Sequence, residues 1–322
     1  MEMKKRKSLL ALLLVAVFAL TLLAGCQKQQ TASASPAETE SAEAEALCDE
    51  GLDAVEKEDY AKARELWEKA ADLGSARADY NLFQLFYSDL DSTIPQEEAL
   101  DRLLKAAEAG FPAAIFDVGT LYQSGEYLEQ SDEKAREYYE RAAELGDAQG
   151  YVNLGYFYSL GLGGEQSIEK GIECYEKGAE LGEPTGLSNL ADVYLYGRGV
   201  PVDYEKAYEY AKQGSDLGGA QATSLLSAFY YEGYAVDQDY EKSYELLKTA
   251  IEGGALTTGE YLGKFYRDGV IVEQDYETAA DLFWQAWEDG SEEAKELYDE
   301  LVSEGKIPED YQPKDVSDLK LP

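Results

Sequence analysis

The stretch GEPTGLSNLADVYLYGRGVPVDYEKAYEYAKQGSDLG, from Gly182 to Gly218, is one full period of a pattern that runs through most of this chain. Its end glycines belong to the series Gly74, Gly110, Gly146, Gly182, Gly218, Gly254 and Gly290, each 36 residues from the next. A fixed period of that length marks a stacked array, in which each unit buries its apolar face only against its neighbours. Counting from the opening glycine, position 8 is Leu82, Val118, Leu154, Leu190, Leu226 and Leu262, and position 12 is Phe86, Tyr122, Tyr158, Tyr194, Tyr230 and Tyr266. With Leu85, Leu121, Phe157, Val193, Phe229 and Phe265 at position 11, these trace the i, i+3, i+4 stripe of an amphipathic helix, called helix A below. Position 9 is small in Gly119, Gly155, Ala191, Ser227 and Gly263, which lets a neighbouring helix approach; Phe83 alone is large there.

The second half of the period predicts helix B. Position 25 is Ala99, Ala135, Gly171, Ala207, Ser243 and Ala279, and position 29 is Leu103, Tyr139, Tyr175, Ala211, Leu247 and Phe283. Position 32 is again Ala or Gly, so small and large residues alternate along one face, as two interlocking antiparallel helices require. Position 21 carries Asp59, Ser131, Ser167, Asp203, Asp239 and Asp275, whose side chains suit an N-cap. Glu133, Glu169, Glu205, Glu241 and Glu277 follow two residues later, where negative charge favours the positive end of the helix dipole. The periodic glycine is expected to close helix B in a left-handed conformation, and Gly125, Gly161, Gly197, Gly233 and Gly269 to close helix A. Pro112 and Pro184 fall at the start of the next helix A, where no amide hydrogen bond is lost.

Leu190-Ala-Asp-Val-Tyr194, Gly197-Arg-Gly-Val200, Asp203-Tyr-Glu-Lys-Ala207 and Ala142-Ala-Glu-Leu-Gly146 together resemble the Sel-one-like repeat, the longer-looped relative of the tetratricopeptide repeat. The resemblance covers about residues 45 to 301: a leading unit ending at Gly74, six full units, and a trailing helix from Ser291 to Leu301. It implies an all-α fold, a right-handed α-solenoid of antiparallel helix pairs. The first full unit departs from the pattern, with Asp89 in place of the loop glycine and Pro95 at the start of helix B. By analogy with the tetratricopeptide pattern, positions 7 and 10 of helix A would face a concave groove. Those positions include Asn81, Asn153, Asn189 and Tyr261, and Tyr156, Asp192 and Lys264. A ladder of amides can hold an extended peptide by its backbone, since each amide both donates and accepts. The alternative is that the asparagines bond only within the array.

Outside the repeats, Lys4, Lys5, Arg6 and Lys7 precede an apolar run from Leu9 to Leu23, the order of a secretory signal. The run is 15 residues long, short of the roughly 20 that span a bilayer. It ends in Leu22-Leu-Ala-Gly-Cys26, which resembles the bacterial lipobox and implies cleavage after residue 25 and a lipidated Cys26. Residues 26–44, rich in Gln, Ser, Ala, Thr and Glu, read as a disordered tether, and residues 302–322 as a polar C-terminal tail. The expected location is the extracytoplasmic side of a bacterial envelope.

Charge narrows the partners. Removing four basic residues and one acid from totals of 28 and 65 leaves 24 against 64, a net charge of −40 for the processed chain. Such a chain would repel the phosphate backbone, so nucleic acid is not expected, and contact with anionic lipid is expected only through lipidated Cys26. The acidity is either a solvated surface or a preference for cationic or amide-rich ligands. Besides Cys26 there are only Cys48 and Cys174, on different helix types and over three repeats apart, so they read as small buried residues and not as a disulfide.

Catalytic chemistry is poorly supplied. The chain has no histidine, which removes the usual general base, the Ser/His/Asp triad and every His-containing zinc site. Ser131 to Lys134 and Ser167 to Lys170 match Ser-x-x-Lys, but no Lys-Thr-Gly or Ser-Asp-Asn accompanies them, and the repeat accounts for both residues. No cofactor or metal site is expected. The expectation is a protein- or peptide-binding scaffold, for which a basic partner is favoured. An envelope-acting enzyme and a self-associating spacer stand as alternatives.

Overall fold

The computed structural model describes residues 42–255, 258–316 and 319, so the signal segment, Cys26 and most of the tether lie outside the described residues. Those residues form fifteen α-helices and no strand. Contacts divide the chain into two compact units that meet at Leu145 and Gly146. The first holds α1 (Ala42–Glu56), α2 (Tyr60–Asp72), α3 (Ala76–Tyr87), α4 (Gln96–Glu108), α5 (Pro112–Ser124) and α6 (Asp132–Glu144). The second holds α7 (Ala148–Leu160), α8 (Ile168–Glu180), α9 (Pro184–Tyr196), α10 (Tyr204–Asp216), α11 (Ala220–Glu232), α12 (Tyr240–Glu252), α13 (Gly259–Asp268), α14 (Tyr276–Glu288) and α15 (Glu292–Ser303). Odd-numbered helices are helices A and even-numbered ones helices B, and within each unit consecutive helices pack on one another. The first helix starts at Ala42, so residues 42–44 are helical.

Capping follows the repeat. Asp59, Ser131, Ser167, Asp203 and Asp239 each accept from the backbone N–H three residues on, and Asp275 accepts from two such groups. This satisfies donors that helix geometry leaves orphaned. The same residues tie the loop to helix A: the N–H groups of Ser131, Ser167, Asp203, Asp239 and Asp275 donate at 2.8–2.9 Å to the carbonyls of Tyr122, Tyr158, Tyr194, Tyr230 and Tyr266. At the other end of helix B, Gly182 N–H donates to Ala179 and Glu183 N–H to Gly178, both at 3.0 Å, the paired bonds of a Schellman closure. The periodic glycine takes φ between 81° and 103° in all seven cases.

The divergent first unit keeps the positive φ after helix A but loses the side-chain cap of helix B and, since Pro95 has no N–H, the bond from the capping residue to helix A. Asp89 adopts φ 54° where the other units use glycine, and Pro95 caps α4 with an extended backbone and no side-chain bond. In the other five full units the loop again takes positive φ two residues beyond the helix A closure. There Gly163 and Gly199 fit without strain, while Tyr127, Ala235 and Ile271 are forced to 63°, 58° and 66°.

Helices A and B interlock by size. A Cβ added to Gly263 would stand 2.6 Å from the Phe283 ring, one on Gly119 2.9 Å from Tyr139, and one on Gly155 2.7 Å from Tyr175. Where position 29 is smaller, position 9 is larger: Ala191 goes with Ala211, Ser227 with Leu247, and Phe83 with Leu103, all of them buried. The leading unit preserves the device across a shorter loop, with Gly51 under Trp67 and the indole N–H donating to Cys48 O at 3.1 Å.

Described residues of the C-terminal segment pack against the last helices. Ile307 is buried with Phe283, Leu297 and Leu301, and Val316 and Leu319 pack on the cluster that contains Tyr244, Leu247 and Leu282. The polar composition of residues 302–322 conceals these few apolar anchors.

A β-branched residue at φ 66° is held in a conformation that costs about 1–3 kcal/mol. Ile271 is 46% exposed, so its side chain contributes little packing in return. Ile271→Gly should therefore stabilise the protein by about 1 kcal/mol in a urea titration, even after the larger unfolded-state entropy of glycine is counted. A loss of stability would mean that the loop does not impose this conformation.

Candidate functional site

Position 7 and 10 residues of helix A do not share one environment. In the first unit, Asn81 on α3 is 0% exposed, and neither end of its amide has a hydrogen-bond partner. Its neighbours on the same wall are tied to each other. Gln84 Nε2 donates to Tyr80 Oη at 2.7 Å and to Asp117 Oδ2 at 2.9 Å, and the Tyr80 hydroxyl donates to Asp117 at 3.0 Å. Burial and Asp117 push the Tyr80 phenol well above its ordinary pKa.

In the second unit, α7 and α9 present accessible groups. Asn153 and Asn189 are half-buried, and Tyr156 is 44% exposed. Asp192, one turn beyond Asn189 on α9, pairs with Arg198 from the loop. Burial raises the Asp192 pKa, and the Arg198 guanidinium only partly offsets this. Arg198 also lies 5.4 Å from the centre of the Tyr196 ring. The Tyr196 hydroxyl is pushed up in pKa by its desolvation and by the carboxylates of Glu260, Asp192 and Glu293. An amide thus recurs at position 7 of two adjacent helices A, followed at position 10 by a phenol on α7 and a carboxylate on α9.

Further along, the wall is closed. Lys264 on α13 is 4% exposed, with its ammonium 2.8 Å from Glu293 of α15, 3.1 Å from Glu232 of α11 and 3.2 Å from Glu260 of its own helix. It also lies 4.2 Å from the centre of the buried Tyr261 ring. Burial alone would lower the lysine pKa; Glu260, Glu293 and Glu232 more than offset it, so the net shift is upward. Lys264 and Tyr261, like Asn81, are therefore inside the protein and not on an open groove, because groups from three successive helices A converge on the lysine. Sequence periodicity assigns a residue to a face but does not register such convergence.

The Ser-x-x-Lys residues are occupied structurally. Ser131 and Ser167 accept from the backbone N–H groups of Lys134 and Lys170 at 3.3 Å. The Lys134, Lys170, Lys206 and Lys242 ammoniums sit 4.0–5.2 Å from the centres of the Tyr122, Tyr158, Tyr194 and Tyr230 rings, a cation–π contact repeated from unit to unit. Cys48 is buried with its sulfur 3.4 Å from Ser75 Oγ, and neither Cys48 nor Cys174 forms a disulfide among the described residues. A groove of about 680 Å³ is lined by Glu176, Tyr210 and Asp216 of α8 and α10 together with Leu187 and Leu190 of α9, and none of the position 7 and 10 residues lines it.

Comparison with known proteins agrees with this architecture. The family model described as Sel1 repeat matches residues 44–75, 112–147, 148–183, 184–219, 220–254 and 260–290. It passes over the unit that carries Asp89 and Pro95. Among solved structures, the chain is similar to a protective antigen of uropathogenic Escherichia coli that displays an SLR fold, at 26% identity and a TM-score of 0.58. The match covers 77% of this chain and 53% of that one, so this chain spans about half the length of that relative. It is also similar in fold to a Sel1 repeat protein from Oxalobacter formigenes, at 22% identity and a TM-score of 0.55, covering 72% of this chain and 91% of that one. The sequence matches none of the curated proteins compared with it. The six matched repeats, with their caps, loops and interlocked helix pairs, place this chain in the Sel1 repeat family as an all-α solenoid.

Proposed function

We propose that this protein is a lipid-anchored, extracytoplasmic scaffold that holds a protein or peptide partner on the helix A wall of its second unit. Proteins of the Sel1 repeat family act typically through protein–protein interaction, which supports the class. The observation that carries the choice of surface is the contrast along that wall. Lys264 and Tyr261 are locked into the array, whereas Asn153, Tyr156, Asn189 and Asp192 keep accessible polar and aromatic groups on two successive helices A. An extended backbone offers alternating donors and acceptors to such amides. The acidic surface favours a basic partner.

Anchoring rests on the sequence of residues 1–26. In this reading the signal segment is removed after residue 25, Cys26 carries the lipid, and the following residues tether the array to a bacterial membrane from the extracytoplasmic side. Cys26→Ser should abolish labelling with radioactive palmitate in a bacterial host. Undiminished labelling would exclude the lipobox assignment.

A partner is first recovered by affinity pull-down from a membrane extract. Replacing Asn153 and Asn189 together by alanine should then weaken it by about 1–3 kcal/mol, roughly 5- to 150-fold, with melting unchanged. Lys264→Met should behave in the opposite way. It strands three carboxylates and should cost about 2 kcal/mol or more of stability. Unchanged affinity in a normally folded double-alanine variant would move the binding site off this wall.

A further inference from the structure

The chain's own tail shows how a segment without regular secondary structure docks on the outer face of a helix B. Along α14, Asp281 Oδ1 accepts from the Tyr311 hydroxyl and from the backbone N–H of Lys314, both at 2.9 Å. The Lys314 ammonium reaches Glu277 Oε2 at 3.1 Å. Glu277 and Asp281 are one helical turn apart, so a Tyr-x-x-Lys segment without regular secondary structure satisfies both carboxylates of an i, i+4 pair. Docking leaves Asp281 only 7% exposed.

That pair is position 23 and position 27 of the repeat, and both positions are acidic in every full unit. The equivalents are Glu97 and Asp101 on α4, Glu133 and Glu137 on α6, Glu169 and Glu173 on α8, Glu205 and Glu209 on α10, and Glu241 and Glu245 on α12. All ten are exposed. Of these, Glu169 and Glu173 on α8 and Glu205 and Glu209 on α10 enter no ion pair among the described residues, and Lys170 and Lys206, which lie between them in sequence, are turned onto tyrosine rings. Position 23 has a local purpose at the helix dipole; position 27, in the second turn, has little of that benefit.

We infer that the outer faces of α8 and α10 dock a lysine-bearing segment of a partner protein, with an aromatic hydroxyl three residues before the lysine. Charge complementarity and the arrangement seen on α14 both specify this occupant. The surface is distinct from the helix A wall, and the inference does not depend on that wall binding anything.

The test uses the ¹⁵N-labelled chain and a synthetic peptide of residues 306–316, whose Tyr311 and Lys314 supply the docking groups. Saturable binding should shift backbone amides at the N-terminal halves of α8 and α10. A protein with Glu169, Glu173, Glu205 and Glu209 all changed to Gln should bind about 5-fold or more weakly, as should a peptide with Lys314→Gln on the unaltered protein. The Asn153/Asn189 double alanine variant should bind the peptide normally. The peptide variant keeps the result readable even if the glutamine protein folds poorly. Absence of saturable binding, or binding indifferent to both sets of changes, would overturn the inference. Concentration-dependent self-association lost with Lys314→Gln in the full chain would reassign the surface to the tail of a second copy.

Discussion

Everything in this fold depends on how closely one helix can lie on the next, and that is set by a glycine facing a ring. Gly263 under Phe283, Gly119 under Tyr139, Gly155 under Tyr175 and Gly51 under Trp67 leave no room for a methyl group. Close packing makes the two positions one variable. A larger residue on helix A is accompanied by a smaller one on helix B, as with Phe83 and Leu103, and the leading unit keeps the pairing although its loop is shorter. A unit of two short helices cannot bury a core by itself, so stability is held in these contacts and in those between neighbours.

The loops hold each helix pair in register. From Ser131 onward each residue that caps the start of helix B does two jobs: its side chain caps that helix, and its own N–H donates to a tyrosine carbonyl near the end of helix A. The lysine three residues later covers the ring of that tyrosine. These contacts explain why Asp or Ser, Lys and Tyr recur together, a recurrence that in sequence also matches a catalytic motif. The loop also imposes positive φ at a place where Ile271 and Tyr127 stand, and that strain is the clearest local conflict between sequence and structure.

Much of this was legible from periodicity. The helix starts, the Asp and Ser caps, the glycine closures and Pro112 and Pro184 at helix starts fall where the spacing predicts, since each depends on residues a few positions apart. What spacing could not disclose depends on distant residues or occurs once. Lys264 is buried because Glu232 and Glu293 approach from 32 and 29 residues away, and nothing at its own position distinguishes it from an exposed lysine. The tail has no repeat to betray it, and its anchors Ile307, Tyr311 and Val316 are scattered among polar residues. Asn81 was readable as an amide on helix A, but its burial without a partner was not.

The most direct test of the packing account is a double-mutant cycle at Gly263 and Phe283, measured by urea denaturation. An added methyl group favours an ordinary helix by up to about 1 kcal/mol, but here it meets a ring that close packing does not let move freely. Gly263→Ala should therefore destabilise the parent protein and stabilise a Phe283→Leu background, with a coupling of about 1 kcal/mol or more. Equal effects in the two backgrounds would show that the glycine is not there to admit the ring, and would contradict the account.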